Sequence, residues 1–401
     1  MKRAREEEQS GERTTTDFLS KGGHLLAHPQ LHEVLYSWLP TDGVFDLRSV
    51  HSAAASTVLA FAETCVMNVT RFTSPAMVHA EETEEERSRR PSVFVGYLWL
   101  LSKELSPDQW RGLASEVRFV DVYAFTPRWM GDKSQSRITS LLLKDPQNVE
   151  FFRAPLLKSN AKAIQRLIDG AASSALKSFT ISSSMTSQDT ELTKALCAAC
   201  KVLENVCFHC CFHITDDDLE PIWRQCPDLK DVDISWTGRE KITDVTLLRM
   251  AQNCKYLRRI SVNKSPGITP GGIARLVEAC PHIESLDIGG HFGAVADPTL
   301  FVIQKHCRRL KTLSVAHSGR GISDSGIDEI TANCPLLESL NVCGARGGIT
   351  DASIHRLRMR CPHLSYLNVS MTCGKITAQC LSEFPSAVTI IDVARESDSG
   401  Y

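Results

Sequence analysis

One phrase recurs at a nearly fixed interval through the second half of this chain. It opens at Cys200 as Cys-Lys-Val-Leu-Glu-Asn-Val-Cys-Phe and returns at Cys226, Cys254, Cys280, Cys307, Cys334 and Cys361. The steps between these cysteines are 26, 28, 26, 27, 27 and 27 residues. Each copy sets apolar residues three, six and eight positions after the Cys, as in Leu229, Val232 and Ile234, or Leu337, Leu340 and Val342. Self-similarity at this period marks one supersecondary unit stacked on itself many times, a solenoid. Such a chain offers a long surface, and its architecture implies no catalytic cleft.

The content of the unit follows from its spacing. Residues two apart share one face of a strand, so Val232 and Ile234 point inward from a short strand and Leu229 packs below them from the entering turn. Before each strand stands a second phrase: Ile214-Thr215-Asp216, Ile242-Thr243-Asp244, Ile322-Ser323-Asp324 and Ile349-Thr350-Asp351, with looser copies at Ile268, Val295 and Ile376. Thr, Ser and Asp side chains accept from the free N–H groups of a helix's first turn. Pro270 and Pro298 suit early helical positions. The apolar spacing then turns helical, as in Leu247, Leu248 and Ala251, and the helix ends near the Cys, often just before a Pro.

These phrases, Cys-Pro-x-Leu-x-x-Leu-x-Val with Ile-Thr-Asp, resemble the cysteine-containing leucine-rich repeats over 200–394. The resemblance implies an α/β solenoid, a curved parallel sheet with helices on its convex side. A last copy, Pro385, Val388, Ile391 and Val393, lacks the Cys and is expected to cap the stack. Upstream, Ser173, Leu176, Phe179 and Ile181 fit the template, as do Ala114, Val117, Val120 and Val122. Residues 114–199 are therefore expected to hold irregular repeats, with a further strand at 137–143 and irregular helix over 144–170.

Of the 15 Cys, 14 lie after residue 196. Their period is that of the repeat, which is what packing at a helix-to-strand corner predicts. Free buried thiols place the chain in a compartment where thiols stay reduced. Cys207, His209, Cys210, Cys211 and His213 crowd together, but zinc sites ordinarily use two separated ligand pairs. Cys211 also falls on a turn position that is elsewhere Thr237, Ser265, His291, Ser318, Ala345 and Thr372, so no metal and no other cofactor is expected.

Residues 1–22 read as a polar tail. Between 23 and 72 three short helical patterns suit a small all-α module. The residues Pro29-x-Leu31-x-x-Val34-Leu35-x-x-Trp38-Leu39-Pro40 and Asp46-Leu47-Arg48-Ser49-Val50 resemble an F-box. By that resemblance Pro29, Leu31, Leu35, Leu39, Pro40, Leu47 and Val50 carry or support an interface with a Skp-family adaptor of a cullin-RING ubiquitin ligase. Where the family has a Trp after this stretch the chain has Ala53 and Ala54, and a helical cap over the end of the solenoid is the competing reading. Residues 73–113 form a linker with a charged loop and a connecting helix, and 395–401 a short tail.

Lys plus Arg number 45 against 47 for Asp plus Glu, a net charge of −2, so no overall field draws nucleic acid. No apolar run is long enough for a membrane helix. No phosphate-binding glycine loop, metalloprotease motif or serine elbow is present. An enzyme therefore ranks last, and a cytoplasmic protein, or one of the nucleus or cytoskeleton, is expected. The open sheet face should present Asp231, Asp233, Arg259, Asn263, Asp287 and Tyr366, with Trp236 and His291 at the strand exits. These are the candidate substrate contacts, better suited to a basic or hydrogen-bonding segment than to an acidic one. Two functions follow from the resemblance. One is a substrate receptor of a Skp-cullin-F-box ligase. The other is a non-ligase scaffold subunit of a cytoskeletal assembly, as in the axonemal nexin–dynein regulatory complex.

Overall fold

A computed structural model describes residues 119–121, parts of 139–150, and residues 151–156, 161–170, 172–183, 188–209, 211–290, 294–372 and 376–392. The F-box-like stretch, with Pro29, Leu31, Leu35, Leu39, Pro40, Leu47 and Val50, lies outside these, as does His291. The chain divides into two compact units, Met1–Val149 and Glu150–Tyr401.

In the first unit the described residues include strand β1 (Phe119–Asp121). The expected strand at 137–143 is absent from its described residues. Thr139 begins a helical turn, closed by the Leu143 N–H donating to the Thr139 carbonyl at 2.9 Å.

The second unit alternates strand and helix in chain order. It begins with β2 (Phe151–Leu156), α1 (Ala161–Asp169), α2 (Ala172–Ala175), β3 (Ser178–Ser183), α3 (Gln188–Ala199) and β4 (Asn205–His209). Then come α4 (Asp216–Gln225), β5 (Asp231–Asp233), α5 (Asp244–Asn253), β6 (Arg259–Ser261), α6 (Pro270–Ala279) and β7 (Ser285–Asp287). It closes with α7 (Asp297–His306), β8 (Thr312–Ser314), α8 (Asp324–Asn333), β9 (Ser339–Asn341), α9 (Asp351–Arg360), β10 (Tyr366–Asn368), α10 (Ala378–Ser382) and β11 (Thr389–Ile391).

Strands β2 to β11 pair in parallel, each with its neighbours in sequence. One register row runs Val206, Val232, Ile260, Leu286, Leu313, Leu340, Leu367. The next inward row, Ile234, Val262, Ile288, Val315 and Val342, continues the ladder, each N–H donating to the following repeat at 2.9–3.0 Å. All of these residues are buried. Adjacent strands sit about 4.8 Å apart, whereas packed helices need about 8–10 Å. The stack must therefore bend with its strands on the concave side, and the leucine-rich-repeat solenoid expected from the phrases is the fold found.

Two sequence expectations need correction. The stretch expected to be irregular helix contains strand β2, whose Phe152 and Ala154 are buried. The template had been present there, with Val149, Phe152 and Ala154 three, six and eight positions after buried Pro146. Pro at the Cys position and Pro155 inside the strand hid it. At the far end Leu367 pairs with Ile390, so Ile391 follows Asn368 on the open face rather than entering the core. A terminal strand packs on one side only, and its register is weakly held.

The helices begin where the caps place them. Thr243, Thr269, Ser323 and Thr350 have extended backbones, and each side chain accepts from the N–H two residues on, at 3.2 Å. Cys226, Cys254, Cys280, Cys307, Cys334 and Cys361 are the C-caps. Their thiols stack: the Cys226 Sγ donates to the Cys200 carbonyl at 3.4 Å, and Cys280 and Cys334 repeat this toward Cys254 and Cys307 at 3.5 Å. Burial pushes the thiols of Cys200, Cys254, Cys307 and Cys334 up to about 12 and those of Cys280 and Cys361 up to about 11. They are neutral packing groups, not thiolates.

A second ladder joins the helix N-termini. The first-turn Asp of one repeat accepts from both the N–H and the hydroxyl of the next repeat's N-cap. Asp244 holds Thr269 at 2.8 and 2.6 Å, Asp297 holds Ser323 at 2.9 and 2.5 Å, and Asp351 holds Thr377 at 2.7 and 2.8 Å. At the start of α4 the Thr215 N–H and hydroxyl go instead to Asp218 of the same helix, at 2.9 Å each, and between α6 and α7 the rung is missing. Pro270 stands where α6 would carry its carboxylate, and Ala296 stands where α7 would offer a hydroxyl.

Candidate protein-binding face

The open face of the sheet is assembled from residues that alternate with the core rows. Because the strands are in register, side chains about 27 residues apart become neighbours. Asp231, Asp233, Arg259 and Asp287 meet around a shallow hollow of about 270 Å³ that spans β3 to β7, with Thr180 and Cys207 beside them. Asp231 pairs with Arg259. The second oxygen of Asp231, Oδ1, is buried and has no hydrogen-bond partner among the described residues. A buried acceptor in that state costs about 1–3 kcal/mol.

The other two carboxylates are less free than the sequence suggested. Asp233 accepts the Ser235 N–H at 2.9 Å, and the Cys207 thiol lies 3.8 Å from its other oxygen. Burial, reinforced by the Asp233 charge, pushes the Cys207 thiol up to about 12. Asp287 accepts the Gly289 N–H at 3.0 Å and both its oxygens receive Asn263 Nδ2 at 3.1–3.2 Å. Asn341 and Asn368 repeat the same local bond, to the N–H groups of Cys343 and Ser370. This column therefore closes its own strand ends as well as facing outward. Tyr366, on β10, lies three strands beyond Asp287 and is not part of the hollow; its hydroxyl accepts from Asn368 Nδ2 at 3.5 Å.

The fold sets two members of the metal-like cluster apart. Cys207 faces the open side, whereas Cys211 is buried and donates to the Ile181 carbonyl at 3.8 Å. Among the described residues no group of three His, Cys, Asp or Glu could hold a metal ion. No described helix is long and apolar enough to cross a membrane.

The strand exits carry a feature that composition does not reveal. Trp236, Lys264, Gly290, His317, Gly344 and Met371 all adopt positive φ at one repeat position. Four of the six bear side chains in a conformation that costs about 1–2 kcal/mol outside glycine. Trp236 is 44 % exposed, and the Lys264 ammonium sits 3.9 Å above its ring. Sequence reasoning found Trp236 but missed Lys264, His317 and Met371. The signal was their shared place two residues after the last inward strand position.

Fold and face together define a leucine-rich-repeat solenoid with a polar concave sheet. The chain is 27% identical over 75 residues to F-box/LRR-repeat protein 9 of Arabidopsis thaliana, a match covering 19% of this chain and 30% of that protein. A chain from the crystal structure of the yeast Rad7–Elc1 complex shares the fold with a TM-score of 0.53 at 12% identity, over 92% of this chain and 98% of that one. No protein-family model matches the chain. Its recurring phrases, its fold and the Arabidopsis match agree in placing its resemblance with the F-box/LRR-repeat proteins.

Proposed function

We propose that this chain is a protein-binding adaptor that acts as a substrate receptor of a Skp-cullin-F-box ubiquitin ligase. Residues 23–72 would dock the Skp-family adaptor through Leu31, Leu35, Leu39 and their neighbours, and the concave sheet would hold the substrate. Catalysis would belong to other subunits; the receptor supplies proximity. The observation that carries the substrate half is the hollow between β3 and β7. It is lined by three carboxylates, Asp231, Asp233 and Asp287, against one Arg259, so a basic or hydrogen-bonding segment suits it. The F-box/LRR resemblance supports the adaptor half.

Affinity purification of the tagged chain tests the adaptor half. Recovery of a Skp-family adaptor and a cullin is expected, and should be abolished by Leu35→Asp with Leu39→Asp. Stoichiometric, salt-resistant recovery of cytoskeletal proteins without the adaptor would replace this reading with the scaffold one.

A further inference from the structure

We propose that the strand-exit rim of the second unit binds an acidic protein segment, its carboxylates gripped between Arg320 and Arg346 with Lys264 and His317 alongside. This adds a second contact surface to the protein-binding reading above and rests on it. The parallel bridge between Gly319 and Ala345 holds two strand-exit loops together, with the Arg346 N–H donating to the Gly319 carbonyl at 2.5 Å. The same register sets Arg320 beside Arg346. Both are exposed, and neither forms an ion pair among the described residues. The strand-exit segments from 262 to 351 contain three carboxylates, Asp297, Asp324 and Asp351. Each is already bonded to the N-cap of the next repeat. The carboxylates of this rim are turned to the helix starts, and among its described residues Arg320 and Arg346 are the exposed charged side chains left without an ion-pair partner.

Stability does not account for that charge. Like charges set side by side across paired segments are unfavourable. These loops lead into helix N-termini, where the helix dipole disfavours cations. The opposite edge differs: Lys305, Arg308 and Arg309 lie at a helix C-terminus, where the dipole favours them, and Lys311 pairs with Glu284. Lys264 and His317 also occupy the left-handed positions described above. Side chains kept at such cost along one rim are the signature of a recognition surface. Arginines at facing positions of two bridged loops offer guanidinium forks, which match carboxylates in geometry as well as charge. A protein segment is favoured over nucleic acid because the chain as a whole carries −2.

The test uses the full chain and a fluorescein-labelled Asp/Glu copolymer peptide, read by anisotropy. Binding should occur, weaken with added salt, and fall about tenfold or more in Arg320→Gln with Arg346→Gln. The control pair Arg308→Gln with Arg309→Gln removes the same charge from the opposite edge and should bind as the parent does. Thermal unfolding of each variant checks that it is folded. Absence of binding by the parent, or equal losses in the two variants, would overturn the proposal. So would tighter, Arg320- and Arg346-dependent binding of a single-stranded oligonucleotide. Recovery of the Skp-family adaptor is read separately, so failure here and failure of the ligase reading are distinct results.

Discussion

Asp216 holds Thr243 at two points across one repeat: its Oδ1 accepts the Thr243 N–H at 2.9 Å and its Oδ2 the hydroxyl at 2.7 Å. Thr246 adds a third bond, hydroxyl to Oδ1 at 2.6 Å. One carboxylate thus fixes the start of the next helix. Asp216→Ala should lower stability by about 2–4 kcal/mol, since it strips hydrogen bonds to a charged acceptor and leaves their donors unpaired. Urea unfolding followed by circular dichroism measures it; a loss under about 0.5 kcal/mol would show that the ladder is ornamental.

Acid should attack the same ladder. Burial works against the Asp324 carboxylate, but bonds from Ser353 and Thr350 outweigh it and hold the group below its ordinary 3.8. A depressed folded value means that the unfolded chain binds the proton first. Stability from this group is therefore present above the unfolded value and is lost as pH falls through the folded one. The denaturation midpoint should drop less steeply toward low pH in Asp324→Asn than in the parent.

Alkali should act through the thiols. Cys200, Cys254, Cys280, Cys307, Cys334 and Cys361 keep their protons in the folded chain up to about 11 or 12, against an ordinary 9.0 in the unfolded chain. The folded state binds more protons across that window, so stability falls as pH rises from about 9 toward 12. Cys307→Ala should flatten that decline while costing packing at neutral pH. Iodoacetamide at pH 8 should leave the native column unmodified and label it after unfolding.

Gly272 is a sharper test of the rung geometry. A Cβ there would lie 2.1 Å from the Asp244 Oδ1. Gly272→Ala should therefore destabilise by about 1–3 kcal/mol through overpacking. Gly272→Ser should cost less, because Ser353 occupies the matching place in its own repeat and donates to Asp324. If Ala and Ser prove equal, the carboxylate is not what fills that space.

The solenoid was legible because each repeat restates its instructions. Seven cysteines, their trailing apolar residues and the Ile-Thr-Asp phrases fix strand, cap and helix, and the register rows follow. Legibility failed where a position was filled by a different route to the same end. Pro146 replaced the Cys before β2, and Ile390 took the inward place at β11 instead of Ile391. The face was legible as columns: Asp231, Arg259 and Asp287 converge as their spacing implied. Their energetics were not, because spacing does not say which oxygen a neighbouring backbone N–H will claim. The bond from Ser235 to Asp233, the orphaned oxygen of Asp231 and the pairing of Arg320 beside Arg346 all depend on that detail.

The absent rung at Pro270 and Ala296 has a mechanical consequence. Between α6 and α7 the helical layer is joined by packing without a carboxylate tie, while the strands on the inner side remain fully paired. A layer left untied at that joint yields there before its tied neighbours on either side, opening on its outer side like a book along its spine. That joint separates the hollow from the paired arginines. Cargo touching both would sense and set the angle between them, so grip at one end would be felt as leverage at the other.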